Sequence, residues 1–221
     1  MLRRQAVCAI GGPDRPRPVF NEIYVSIDEL RRRLMPEVNL TSDRWLFQRL
    51  TAALDRRLLK ALPQMEASVA LSTSVNLNVA TVLSEEFLAF DRELRMRTPK
   101  SMVIELQPID VFADLGSYMF ARDFARERGY KICLDALTYL TFPIMHRDEF
   151  GLDLQKIYWS ADIVADARAT RREALREAVR RAGPARVILC RCDDKDAIEF
   201  GRSIGVSLFQ GRYVDRMTQA G

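Results

Sequence analysis

Seven polar or charged side chains interrupt otherwise apolar, strand-like runs in this sequence. They are Glu22 in VFNEIYV, Asn76 in TSVNLN, Glu105 in MVIELQ, Asp135 in ICLDAL, Lys156 in LQKIYW, Arg191 in VILCRC and Gln210 in SLFQGR. Carboxylates and amides offer the oxygen ligands that hard divalent cations take, and lysine and arginine offer fixed cations that pair with carboxylate or phosphate. A charge at the end of a buried run needs a partner, a metal or a ligand. One such residue is ordinarily a satisfied structural polar group, whereas seven at corresponding places read as a site.

Positioning them requires an α/β fold. Eight β-rich runs are expected, near Ala6 to Ile10, Val19 to Ile27, Val69 to Leu77, Met102 to Gln107, Lys131 to Asp135, Leu154 to Trp159, Arg186 to Cys190 and Val206 to Gln210. They alternate with helical patterns, the signature of a parallel sheet with crossovers, and their number predicts a closed, TIM-like (β/α)8 barrel. Asp43 to Leu62 reads as a helix, with Leu46, Leu50, Leu54 and Leu58 recurring every four residues behind Thr41 and Ser42 as caps. Gly129, Gly183 and Gly205 stand where later helices should stop. The first connection, GGPDRPRP, is too short and proline-rich for a helix, so strands one and two should form an antiparallel hairpin. In such a barrel the seven residues fall at C-terminal strand ends, where chemistry collects.

The chain has 221 residues, 48% hydrophobic, and a formal charge of +4, enough for one core and outside the disordered and fibrous classes. No apolar run approaches the roughly 20 residues of a membrane helix, and AVCAIGG is too short for a signal peptide, so the expected location is the cytoplasm. Cys8, Cys133, Cys190 and Cys192 sit in or beside apolar runs and read as reduced core thiols. Arginines outnumber lysines 29 to 5, yet the most basic segment, ARATRREALREAVRRAG, keeps Ala174, Leu175, Ala178, Val179 and Ala182 on one stripe. That is an amphipathic helix with a solvated face, and nucleic acid is not expected as a partner. His146, the single histidine, reads as a loop residue. Trp45 and Phe47 read as core, and LRRRL from Leu30 as a solvated helix face.

In order and spacing these stretches resemble the EAL domain, a family whose active members hydrolyse the bacterial second messenger cyclic di-GMP with two divalent cations. SVNLN resembles the family's V-N-L-S strand, VIEL its E-[IL]-T-E strand and ARERGYKICLD the lead-in to its D-D-F-G. LQKIYW resembles its K-I-D, and IGVSLFQGRYV its closing G-x-x-x-x-Q-G-Y. The resemblance covers a core of about Val19 to Val214 and implies a single EAL-like barrel domain over residues 1–221, with the antiparallel start that the family's barrel also has. It further implies that Glu22, in EIY where the family reads E-A-L, corresponds with Asn76, Glu105 and Asp135 to the ligands of the first metal. Lys156 corresponds to the catalytic-site lysine and Gln210 to the late glutamine.

The departures are as specific. The second aspartate of D-D-F-G is Ala136, the glutamate of A-E-G-V-E is Arg191 and the aspartate of K-I-D is Tyr158. The second glutamate of E-[IL]-T-E is Pro108, the nucleotide-contacting arginine after E-A-L-L is Ser26, and the loop after the aspartates reads DALTYLTF. Two-metal hydrolysis needs both cations to clamp the attacking and leaving oxygens. The resemblance therefore implies a catalytically degenerate, non-enzymatic signalling module in cyclic di-GMP-linked regulation that acts on a protein partner. The first alternative is a cyclic di-GMP receptor without hydrolysis, contacting nucleotide through Glu22, Asn76, Asp135 and Gln210. The second is a slow one-metal phosphodiesterase using Lys156 and Asp135. No cofactor is required on the leading reading; one Mg²⁺ or Mn²⁺ and a homodimer are options that the resemblance leaves open. Arg191 with Lys156 is expected to replace the metals as fixed cations among the acids.

Overall fold

A computed structural model describes residues 2–11, 15–34, 44–64, 73–97, 102–163 and 169–219. Its strands are β1 (Leu2–Ala9), β2 (Arg17–Val25), β3 (Thr73–Asn76), β4 (Val103–Leu106), β5 (Lys131–Leu137), β6 (Leu154–Tyr158), β7 (Val187–Cys190) and β8 (Leu208–Phe209). They follow sequence order around a closed barrel, with β1 antiparallel to β2 and β8. The expected (β/α)8 class with an antiparallel start is the observed one. The helices are α1 (Ile27–Leu34), α2 (Arg44–Ala61), α3 (Val79–Val82), α4 (Glu85–Arg97), α5 (Pro108–Val111), α6 (Leu115–Glu127), α7 (Ala169–Ala182), α8 (Lys195–Ser203) and α9 (Arg212–Gln219). The residues form two compact units, Met1–Arg4 with Glu22–Tyr130 and Gln5–Asn21 with Lys131–Gly221.

In the first unit β3 and β4 pair in parallel, with Asn76 opposite Glu105. All four residues of β4 are buried, as expected of a strand covered on both faces. Phe87 packs against Phe90, Phe124 and Tyr130, and the Tyr130 hydroxyl donates to Asp91 at 3.0 Å. Asp91 also receives Arg95 and Arg128, so its buried carboxylate is charge-balanced. Asp114 caps α6 by accepting from the Ser117 amide at 2.9 Å.

The leucine spacing in the helix expected over Asp43 to Leu62 proves misleading. Helix α2 exists, but Leu46 is exposed, Leu50 and Leu54 are half-buried, and the buried leucines are Leu58 and Leu59. A strict four-residue repeat advances about 40° per step around a helix of 3.6 residues per turn, so it winds off the buried face. The proposed caps Thr41 and Ser42, and the Trp45 side chain, lie outside the described residues.

In the second unit β5 to β8 pair in parallel. Helix α7 buries Leu175, Ala178, Val179 and Ala182, while its arginines pair with glutamates one turn away or bond neighbouring oxygens, as Arg176 does to Ser203 and Arg181 to Pro143. The basic helix is thus a solvated face with braces. All four cysteines are free and buried. Gly129, Gly183 and Gly205 follow α6, α7 and α8 at positive φ, as the stop signals required.

Candidate functional site

The expected site residues fall in both units. In the first, Glu22 lies on β2, Asn76 ends β3 and Glu105 sits inside β4. The Asn76 amide donates to a Glu22 carboxylate oxygen at 2.7 Å, and the Leu77 amide donates to the Glu105 carbonyl at 3.0 Å. Glu105 is fully buried, whereas Glu22 and Asn76 keep some exposure. These three expected neighbours therefore meet through register and a side-chain bond.

Two of the substituted positions have acquired structural duties there. Ser26 offers its hydroxyl oxygen to the Glu29 amide and its carbonyl to the Leu30 amide, capping α1. Pro108 occupies the first turn of α5, where a missing N–H costs nothing.

The same unit holds a carboxylate that the sequence reading passed over. Asp55 on α2 accepts from the Asn78 backbone amide, the Asn78 side chain and Thr81, at 2.6–3.0 Å, and is 7% exposed. Burial pushes its carboxyl up to about 6, against the lowering effect of those three donors. No motif marks it, because its partners come from another element.

The second unit holds Asp135, Lys156, Tyr158, Arg191 and Gln210. Strand β5 carries a bulge: Leu134 pairs with Gln155 and Leu137 with Ile157, so Asp135 and Ala136 together face the single residue Lys156. Asp135 is 7% exposed and Lys156 1%. A buried carboxylate and a buried ammonium thus stand at facing positions of neighbouring strands. Gln210, 2% exposed, follows β8 and is tied by its amide to Leu189 and by its carbonyl to Cys192.

Arg191 is placed differently from expectation. Its guanidinium carbon lies 3.8 Å from the centroid of the Tyr158 ring, and among the described residues it makes no ion pair with a carboxylate. The Tyr158 ring, at the place that the resemblance gives to the K-I-D aspartate, offers the guanidinium a cation–π seat. Tyr158 has its hydroxyl pushed well above the ordinary phenol range, first by burial and then by the Asp135 charge.

Ala136 and Arg191 are also the two non-glycine residues with positive φ among those described, at 57° and 60°. Left-handed backbone costs roughly 1–2 kcal/mol for most L-residues, less for aspartate, whose side chain bonds locally. Both lie where the resemblance reports a lost acid. Strain of this kind persists where the surroundings over-determine it and clusters at functional sites.

The residues test differently against two metals. Glu22, Asn76 and Glu105 have the oxygen chemistry for one hard cation. Ala136, Tyr158 and Arg191 do not fit a second: they supply a methyl, a phenol held protonated and a guanidinium. Among the described residues no three histidine, cysteine, aspartate or glutamate side chains group to hold a metal ion.

No protein-family model and no curated protein matches this chain. Solved structures do. Vibrio cholerae LapD, an S helix-GGDEF-EAL chain bound to c-di-GMP, aligns with TM-score 0.70 and 14% identity over 97% of this chain and 53% of its own. Klebsiella pneumoniae BlrP1 in its manganese and cy-diGMP complex gives 0.64 and 18%, over 95% of this chain and 54% of its own. The Xanthomonas citri FimX EAL domain in complex with c-diGMP gives 0.64 and 14%, over 96% and 85%. The chain thus has the EAL-domain fold, and it spans about half the length of LapD and BlrP1.

Proposed function

We propose that this chain is a non-hydrolysing EAL-type domain that serves regulation in bacterial cyclic di-GMP-linked signalling. The observation that carries this reading is the stacked pair of Arg191 on Tyr158. These two residues, with Ala136, occupy the positions that correspond to acids in the active family. In-line displacement of a phosphodiester by two cations needs one to make hydroxide and both to share the charge of the attacking and leaving oxygens. A guanidinium can share charge but cannot lower the pKa of a bound water to make the nucleophile. One cation on Glu22, Asn76 and Glu105 would polarise a phosphate oxygen, which alone falls short of turnover.

The output of such a domain is contact with a protein. Ile109, Phe112, Leu115 and Met119 are large apolar side chains exposed within eleven residues, with Leu115 and Met119 one turn apart on α6. Exposed apolar groups gathered in this way are a common basis for protein contacts.

A second reading, a receptor that binds cyclic di-GMP intact, is favoured by the retained Glu22–Asn76 pair and by Gln210 at the end of β8. LapD and FimX, whose fold this chain shares, are structures with the nucleotide bound.

Incubation of the protein with cyclic di-GMP and Mn²⁺, followed by chromatography, tests the proposal. Intact nucleotide after many hours is expected. Linear product formed catalytically, and absent from a protein-free control, would refute it.

A further inference from the structure

We infer that Arg191, seated on Tyr158, is an anion-binding arginine that receives a phosphodiester oxygen of the ligand in place of a second cation. Nucleotide binding is then independent of divalent metal. This rests on the receptor reading above and names how that site would work.

Three observations combine. The first is orientation. A guanidinium lying on an aromatic ring uses its face for the ring and keeps its in-plane N–H groups at the edge, the geometry that grips a phosphate with two parallel hydrogen bonds. The seat holds the arginine by its face and by a side-chain hydrogen bond to the Tyr158 hydroxyl, which leaves most of its N–H donors for a ligand.

The second is placement. From Val187 to Cys192 every residue is buried except Arg191. The backbone on both sides is fixed: the Cys190 carbonyl accepts from Trp159, and Cys192 donates to Gln210 and accepts from Tyr213. The one exposed side chain of the run is thus presented from a rigid strand end, with little ordering left to do on binding.

The third is strain. Arg191 keeps φ at 60°, where glycine or asparagine would sit more easily. A residue held in an unfavourable conformation, exposed and outside any ion pair, is not explained by stability, and the inference runs from that outlier to function. Arg191 is exposed and, among the described residues, has no carboxylate partner, so its charge is available to a ligand.

The test is calorimetric titration with cyclic di-GMP, once in EDTA and once in Mg²⁺, with thermal unfolding recorded for each variant. The wild-type protein is expected to bind without metal. Arg191→Asn, which tolerates left-handed backbone, is expected to lose tenfold or more in affinity with no fall in melting temperature. Tyr158→Phe, which keeps the ring, is expected to bind as wild type, and Tyr158→Leu to lose part of the affinity. Equal binding by Arg191→Asn, or wild-type binding that requires Mg²⁺, would overturn the inference while leaving the receptor reading intact. Absence of wild-type binding under both conditions would remove the receptor reading and this inference with it.

Discussion

At the scale of single residues, two kinds of buried chemistry make measurable demands. Ala136 sits at φ 57° inside the β5 bulge without the local hydrogen bonding that lets aspartate tolerate this conformation. Ala136→Gly is expected to stabilise the protein by about 1 kcal/mol, a rise of roughly 2–4 °C in melting temperature, and Ala136→Val to lower it. Asp55 gives a pH signature. Its carboxyl is pushed up to about 6 in the folded state, so its stabilising contribution is full below the unfolded value and is lost as pH rises through about 6. Denaturant midpoints should therefore decline between about pH 4 and 6, by up to about 3 kcal/mol in stability, and Asp55→Asn should flatten that decline. The seven candidate residues stood out in the sequence because each interrupts an apolar run. The seat of Arg191 did not, since it depends on a ring contributed by another strand, and neither did the positive φ, since nothing about Ala or Arg announces it.

At the scale of elements, the strand ends are fixed by close backbone contacts. Gly211, directly after Gln210, would drive a Cβ to 2.4 Å from the Cys192 amide nitrogen and carbonyl oxygen, at a φ of 154°. Backbone cannot give way as a flexible side chain can. Gly211→Ala is expected to cost about 3 kcal/mol, and the melting temperature should fall by roughly 10 °C. A variant that melts like wild type would show that β7 and β8 are not clamped there. All eight strands were readable from β-rich runs and their spacing, the later ones most plainly, because parallel strands buried on both faces are continuous apolar stretches. Helix α2 was readable as a helix, but its buried face was not, because four-residue spacing winds around a 3.6-residue helix. The β5 bulge was invisible for a related reason: an extra residue in one strand shows only against its partner's register.

At the scale of the whole molecule, the fold is that of EAL domains seen with c-di-GMP bound, while the positions that the motif resemblance assigns to acids, Ala136, Tyr158 and Arg191, carry a methyl, a phenol and a guanidinium. A barrel of this kind keeps its architecture through its buried strands, and function resides in the side chains grafted on their ends. On the proposed function, an arginine on a tyrosine in place of an acid pair would keep positive charge near a phosphate while removing the means to activate water. The central claim is therefore that this chain never assembles a two-cation centre, even with nucleotide present. The most direct measurement is the number of Mn²⁺ ions bound per chain at saturating cyclic di-GMP, by equilibrium dialysis with metal analysis. At most one ion per chain is expected; two would contradict the account.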